Sequence, residues 1–99
     1  MAIWAEPRGP ELKIVIEGRF DFSSHQEFRD AYENKPQRFG KYEVDMRKTT
    51  YLDSSALGML LLLRDHAGGE SAQIRIVNCN ADVRRILNIS NFEQLFTIE

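Results

Sequence analysis

The chain has one cysteine, Cys79, in 99 residues. That excludes an internal disulfide and any cysteine-cluster metal site. No apolar run is longer than Met59 to Leu63, whereas a membrane helix needs about 20 such residues. A basic excess is missing too. Thirteen Lys and Arg against fifteen Asp and Glu leave a net charge of −2, so no cationic field draws the chain to nucleic acid or anionic lipid. The opening residues, MAIWAEPRGPE, lack the basic stretch and apolar core of a secretory signal. Internal repeats and low-complexity tracts are absent, and the three prolines, Pro7, Pro10 and Pro36, fall in polar connections. What remains, 42% hydrophobic and 28% charged, is the composition expected of one cytoplasmic globular domain.

Hydrophobic period divides the chain into alternating strands and helices. Ile3-Trp4-Ala5 is an edge strand closed by a turn over Pro7 to Pro10, and Leu12, Ile14 and Ile16 alternate with polar neighbours in a second strand ended by Gly18. These two form a hairpin. From Ser24 to Asn34 the period becomes helical, with Phe28, Ala31 and Tyr32 inward and a capping-box spacing of Ser24 to Glu27. A loop with Pro36 and Gly40 leads to a strand over Tyr42 to Met46. Ser54 to His66 is a leucine-rich helix capped by Asp53 and stopped by Gly68-Gly69. Its apolar residues spread around the axis, Leu57, Leu60 and Leu61 on one side and Met59, Leu62 and Leu63 elsewhere, which predicts contact with more than a sheet. A strand through Ile74 and Ile76 follows. Next comes a short helix capped by Asn80 or Asp82, with Val83, Ile86 and Leu87 inward and Arg84 and Arg85 outward, then a last strand over Leu95 to Ile98. The order β-β-α-β-α-β-α-β predicts a single α/β domain on a mixed, mostly parallel sheet.

In such a sheet, function gathers at the carboxyl ends of the strands, where helix N-termini offer unpaired N–H groups. Two polar segments fall there: Gly18-Arg19-Phe20-Asp21 and Thr49 to Ser55. Ser54 and Ser55 occupy the first turn of the leucine-rich helix, where a phosphate is tolerated by the fold. A phosphoryl group would add about −1.5 to −2 charge beside Asp53. That suits a switch of partner binding better than a switch of fold. The same residues also serve as an ordinary N-cap cluster.

Other chemistry finds no complete site. Ser54 with His25 or His66 lacks a Gly-x-Ser-x-Gly elbow, and no phosphate-binding Gly-x-x-x-x-Gly-Lys-Ser/Thr loop occurs. Asp65-His66 is not a metal pair at useful helical spacing. No lysine lies in the final segment, as an aspartate-phosphorylated receiver would require. Trp4 reads as sheet-edge packing, and Cys79 as a small residue at or near the core. No metal and no cofactor is expected.

Tyr51-Leu52-Asp53-Ser54-Ser55-Ala56-Leu57-Gly58 resembles the phosphorylation loop of anti-sigma factor antagonists, the bacterial STAS domains, whose usual form is Asp-Ser-Ser-Gly-Leu-Gly. Gly18-Arg19-Phe20-Asp21 is similar to the Gly-x-Leu-Asp of that family. The likeness continues through Gln73–Asn78, Ala81–Leu87 with Arg84-Arg85, and Ile89-Ser90-Asn91-Phe92, and so covers about Leu12 to Ile98. The resemblance implies a non-enzymatic partner switch. The unphosphorylated form binds a serine-kinase anti-sigma factor, the kinase phosphorylates the residue matching Ser54, and a PP2C-type phosphatase reverses it. It places Asp21, Ser24, Asp53, Ser54, Ser55, Ala56, Leu57 and Met59 in the docking surface. It also points to flagellar or biofilm regulators as partners, with no nucleic acid and no membrane insertion.

Two departures stand out. Ala56 replaces the usual glycine, adding a methyl at the docking face. The family's further C-terminal helix is missing after Glu99, which predicts apolar surface hidden by homodimerisation or by a larger partner. Two other classes stay open. One is a STAS subunit of a membrane lipid or anion transport complex, acting through constitutive contacts. The other is a small nucleotide-binding or hydrolytic domain.

Overall fold

The computed structural model describes residues 2–35 and 39–99. Pro36, expected in the loop before the third strand, lies outside the described residues. Strands β1 (Ala2–Arg8), β2 (Glu11–Phe20), β3 (Lys41–Leu52), β4 (Ile74–Val77) and β5 (Thr97–Ile98) form one sheet in that spatial order. Helices α1 (His25–Glu33), α2 (Ser54–His66) and α3 (Ala81–Ile89) connect the parallel strands. β1 joins β2 antiparallel, as the hairpin pattern predicts. Because strand order follows chain order, right-handed crossovers deliver all three helices to one face of the sheet.

The burial pattern agrees. Leu12, Ile14, Ile16, Tyr42, Val44, Met46, Ile74 and Ile76 join Phe28, Tyr32, Leu60, Leu63, Val83 and Leu87 in a single core. Phe20, Phe28 and Tyr32 pack ring to ring at 5.0 and 5.6 Å. The opposite sheet face carries charge instead. Arg75 of β4 donates to Glu43 (2.5 Å), Glu11 (3.2 Å) and Glu99 (3.2 Å), tying four segments together. Lys13 pairs with Asp45 at 3.5 Å.

Several boundaries differ from the sequence expectation. Pro7 belongs to β1, opposite Leu12, and not to a turn; β1 is an edge strand, where a missing N–H costs nothing. The turn is Gly9-Pro10, with Gly9 at φ 62°. β2 does not end at Gly18 but runs to Phe20, with register shifts between Val15 and Glu17 and between Gly18 and Arg19. Gly18, at φ 83°, adopts the left-handed backbone that this irregularity needs. β3 likewise extends six residues beyond Met46, because its buried positions become Met46, Thr49 and Leu52. That spacing follows from the extra residue β3 carries at each of its two register shifts against β2, and a period of two cannot find it. Thr49, expected in a surface loop, is buried and donates its hydroxyl to the Ile16 carbonyl at 2.9 Å.

The helix ends also need correction. Ser24 and Glu27 do not form a capping box. The box lies earlier, between Asp21 and Ser24 around a 3-10 turn over Phe22–Ser24, and α1 begins at His25. Glu27 instead accepts from the Ile3 N–H at 3.0 Å and clamps α1 to the edge strand. α2 has the predicted bounds and cap, and Asn80 caps α3. The apolar sides of α2 fall differently: Ala56, Met59, Leu60 and Leu63 face the core, and Leu61 and Leu62 are exposed. Cys79 lies beyond the end of β4, half-buried, with burial raising its thiol pKa.

Candidate phosphorylation and docking site

Three segments meet at the carboxyl edge of the sheet. The Asp53 N–H donates to the Phe20 carbonyl at 3.4 Å, joining the β3–α2 junction to the end of β2. The Asn80 amide donates to the Thr49 carbonyl at 3.1 Å, joining the start of α3 to β3. The 3-10 turn over Phe22–Ser24 packs against α2. One backbone bond and one side-chain amide therefore brace the ends of β2 and β3 and the starts of α2 and α3 against one another.

Asp53 is the cap of α2, its Oδ1 accepting from the Ala56 N–H at 2.9 Å. Ser54, the next residue, is exposed at the first helical position, and Ser55 is half-buried. The first N–H groups of a helix have no intrahelical partner, so this tip is electropositive along the axis. Ser54 thus presents its hydroxyl to solvent beside a carboxylate, on a backbone held by the cap.

The second strand end is equally ordered. Asp21 Oδ1 accepts from the Ser23 N–H (3.0 Å) and hydroxyl (2.6 Å). Its Oδ2 accepts from Arg19 at 3.3 Å. The hydrogen bonds from Ser23, with the Arg19 guanidinium, outweigh desolvation and hold the Asp21 carboxyl below its ordinary pKa. Arg19 also lies over the Tyr51 ring, 4.0 Å from its centroid, a cation–π contact set by the register that pairs these residues.

The eight residues expected in the docking surface separate into two groups. Asp21, Asp53, Ser54, Ser55 and Leu57 reach the surface wholly or in part. Ser24, Ala56 and Met59 are buried and belong to the support beneath it. The Ser24 hydroxyl accepts from the Asp21 N–H and donates to the Arg19 carbonyl. The Ala56 methyl points into the core, so it adds nothing to the docking face. Missed by sequence reasoning is Phe22, 79% exposed at the same edge. Its signal was an aromatic residue set between Asp21 and two serines in a polar connection. The Arg19–Tyr51 stack had no sequence signal, because it depends on the bulged register.

Among the described residues, no group of three or more His, Cys, Asp or Glu side chains is placed to hold a metal ion. No helix there is long and apolar enough to cross a membrane. Both histidines are exposed, as expected, and His66 packs against the Tyr32 ring at 4.9 Å.

The family model described as the Mlab, STAS domain matches residues 6–97. The chain belongs to the STAS-domain family. A STAS-domain containing protein of Pseudomonas aeruginosa (strain UCBPP-PA14) is 66% identical over 100 residues, covering 99% of each chain. Solved STAS-like structures share the fold at low identity. The anti-sigma factor antagonist SpoIIAA, in its unphosphorylated form, superposes with a TM-score of 0.71 at 13% identity, over 99% of this chain and 87% of its own. An anti-sigma factor antagonist from Mycobacterium paratuberculosis gives 0.79 at 16%, over 98% and 83%. A sulfate transporter family protein from Wolinella succinogenes gives 0.76 at 12%, over 93% and 80%. This STAS domain therefore shares its fold with the antagonists and with the transporter-family protein alike.

Proposed function

We propose that this STAS domain is a non-enzymatic partner switch, cytoplasmic in location, whose state is set by phosphorylation of Ser54. Unphosphorylated, it binds a serine-kinase anti-sigma factor or a related regulator through the carboxyl edge of the sheet. Phosphorylated, it releases that partner, and a PP2C-type phosphatase resets it. The observation that carries the reading is the exposed Ser54 hydroxyl on the first residue of α2, directly after the Asp53 cap.

The physical sequence is short. A phosphate on Ser54 replaces a small neutral hydroxyl with a group of about −1.5 to −2 charge. The fold tolerates it, since it sits at a helix N-terminus in solvent. Docking would have to strip water from that dianion beside Asp53, and the lost hydration opposes binding. The change therefore acts on association and leaves the domain folded.

Intact mass and phosphopeptide mapping of the chain purified from its own host, with Ser54→Ala in parallel, test the reading. A phosphate on Ser54, absent from the variant, is the expected result. Protein that stays unmodified through changes of growth and signalling conditions would sink it. The weight would then pass to constitutive docking in a transport complex, a reading favoured by the likeness to the Wolinella sulfate transporter family protein.

A further inference from the structure

We propose that Phe22 is the apolar anchor of this docking face, and that Asp21 serves binding by holding Phe22 in place rather than by touching the partner. The partner fitted to it is a protein with an apolar pocket for a phenyl ring and one neutral hydrogen-bond donor at the rim, opposite Asp53. This inference rests on the reading of the Ser54 edge as the docking surface.

Three observations lead here. Phe22 has the highest exposure of the large hydrophobic residues described, 79%, and the core makes no use of its ring. Its backbone is nevertheless fixed on both sides. The Ser24 N–H donates to the Asp21 carbonyl (2.8 Å), the Asp21 N–H donates to the Ser24 hydroxyl (3.1 Å), and that hydroxyl donates to the Arg19 carbonyl (3.3 Å). Finally, both carboxylate oxygens of Asp21 are engaged within the turn, by Ser23 and Arg19. The carboxylate is occupied in shaping the turn. What the turn presents outward is the ring.

An aromatic side chain on a pre-shaped backbone loses little freedom on docking, which is what makes aromatic anchors effective. Asp53 has given only Oδ1 to the helix cap, so its other oxygen is open to a hydrogen-bond donor of the partner. An interface centred on an apolar ring excludes water from its surroundings. A Ser54 dianion at the border of such an interface disrupts it by desolvation. The apolar anchor and the phosphorylated serine thus form one device, in which the first makes the second effective.

The test replaces Phe22 with the photocrosslinker p-benzoylphenylalanine in full-length protein in its host. Ser55 and Leu57 serve as further sites on the face. Ile89, exposed at the far end of α3, is the control. The protein captured at position 22 is then purified and its affinity measured. Phe22→Ala is expected to weaken binding by about 30-fold or more, the loss typical of a hot spot. Phe22→Leu should retain most of the affinity. Asp21→Ala should weaken binding by itself yet add nothing in the Phe22→Ala background, because both losses act through one ring. Multiplying losses would show Asp21 meeting the partner directly, and unchanged affinity in Phe22→Ala would remove the anchor; either overturns the proposal. Adducts from Ser55 and Leu57 but not from position 22 would leave the docking face standing and the anchor refuted. No adduct from any of the three would refute the docking face as well. An adduct between two copies of this chain would replace the heterologous partner. Matching thermal melts of Phe22→Ala and wild type confirm that the fold is intact.

Discussion

Gly58→Ala should stabilise this domain. Gly58 is inside α2, on its outward side, one turn beyond Ser54. A Cβ built there meets no heavy atom within 4 Å. The substitution therefore brings no steric cost, and the helix gains the difference in intrinsic propensity, about 0.8–1.0 kcal/mol. In a domain of this size that corresponds to a rise in Tm of about 4–8 °C. Urea denaturation gives the free energy directly: the midpoint should rise while the slope stays constant. The neighbouring Ala56→Gly is the internal control, with the opposite sign. Its methyl is fully buried, so the propensity loss of about 1 kcal/mol is joined by lost burial of about 0.8 kcal/mol. If Gly58→Ala left stability unchanged or lowered it, the outward face of α2 would not be the open helix surface described here.

Asp53→Ala removes the cap of α2 and should cost about 1 kcal/mol of stability by the same denaturation assay. Ser54→Ala and Ser54→Asp should each melt within about 0.5 kcal/mol of wild type, since the side chain is exposed; calorimetric titration with the captured regulator should show binding kept by the first and weakened by the second. Asp45 gives a pH prediction. Burial pushes its carboxyl up, but the Arg47 N–H, the Asn78 amide and the Lys13 ammonium together outweigh this and hold it below the ordinary value. A depressed folded pKa means stability that is complete above the unfolded value of about 3.9 and lost as pH falls through the folded one. Asp45→Asn should accordingly flatten the acid side of the stability curve, and an unchanged acid limb would contradict the assignment. Thr49→Val should lose the buried hydrogen bond to the Ile16 carbonyl, about 1 kcal/mol by the same denaturation assay.

The architecture was legible because its determinants are local. Alternation in Leu12, Ile14 and Ile16, helical spacing in Phe28, Ala31 and Tyr32, and the caps Asp53 and Asn80 are short-range patterns that water and backbone geometry read alike. Largely parallel pairing with an antiparallel edge hairpin then followed from the alternation of strands and helices, whereas the order of strands across the sheet did not. The motif Asp53-Ser54-Ser55 was likewise visible, since a cap and the first helical turn are adjacent in sequence. The surface of α2 was only half legible. A helix rich in leucine all round gives its core side no contrast, and packing alone chose Met59, Leu60 and Leu63 over Leu61 and Leu62.

The sequence by itself determined the order of elements, the core strands, the capped start of α2 and the candidate serine. Tertiary structure decided which residues stand around that serine. The extra residues of β3 at its two register shifts against β2 moved the pairing so that Thr49 went inside and Tyr51 came to rest under Arg19. Pairing with β3 carried β2 past Gly18 to Phe20, so the turn after it became a 3-10 turn closed by Asp21 and Ser24, with Ser24 buried and Phe22 turned out. Register and turn geometry depend on contacts between segments some thirty residues apart, such as Thr49 with Ile16, and no local window of sequence contains them.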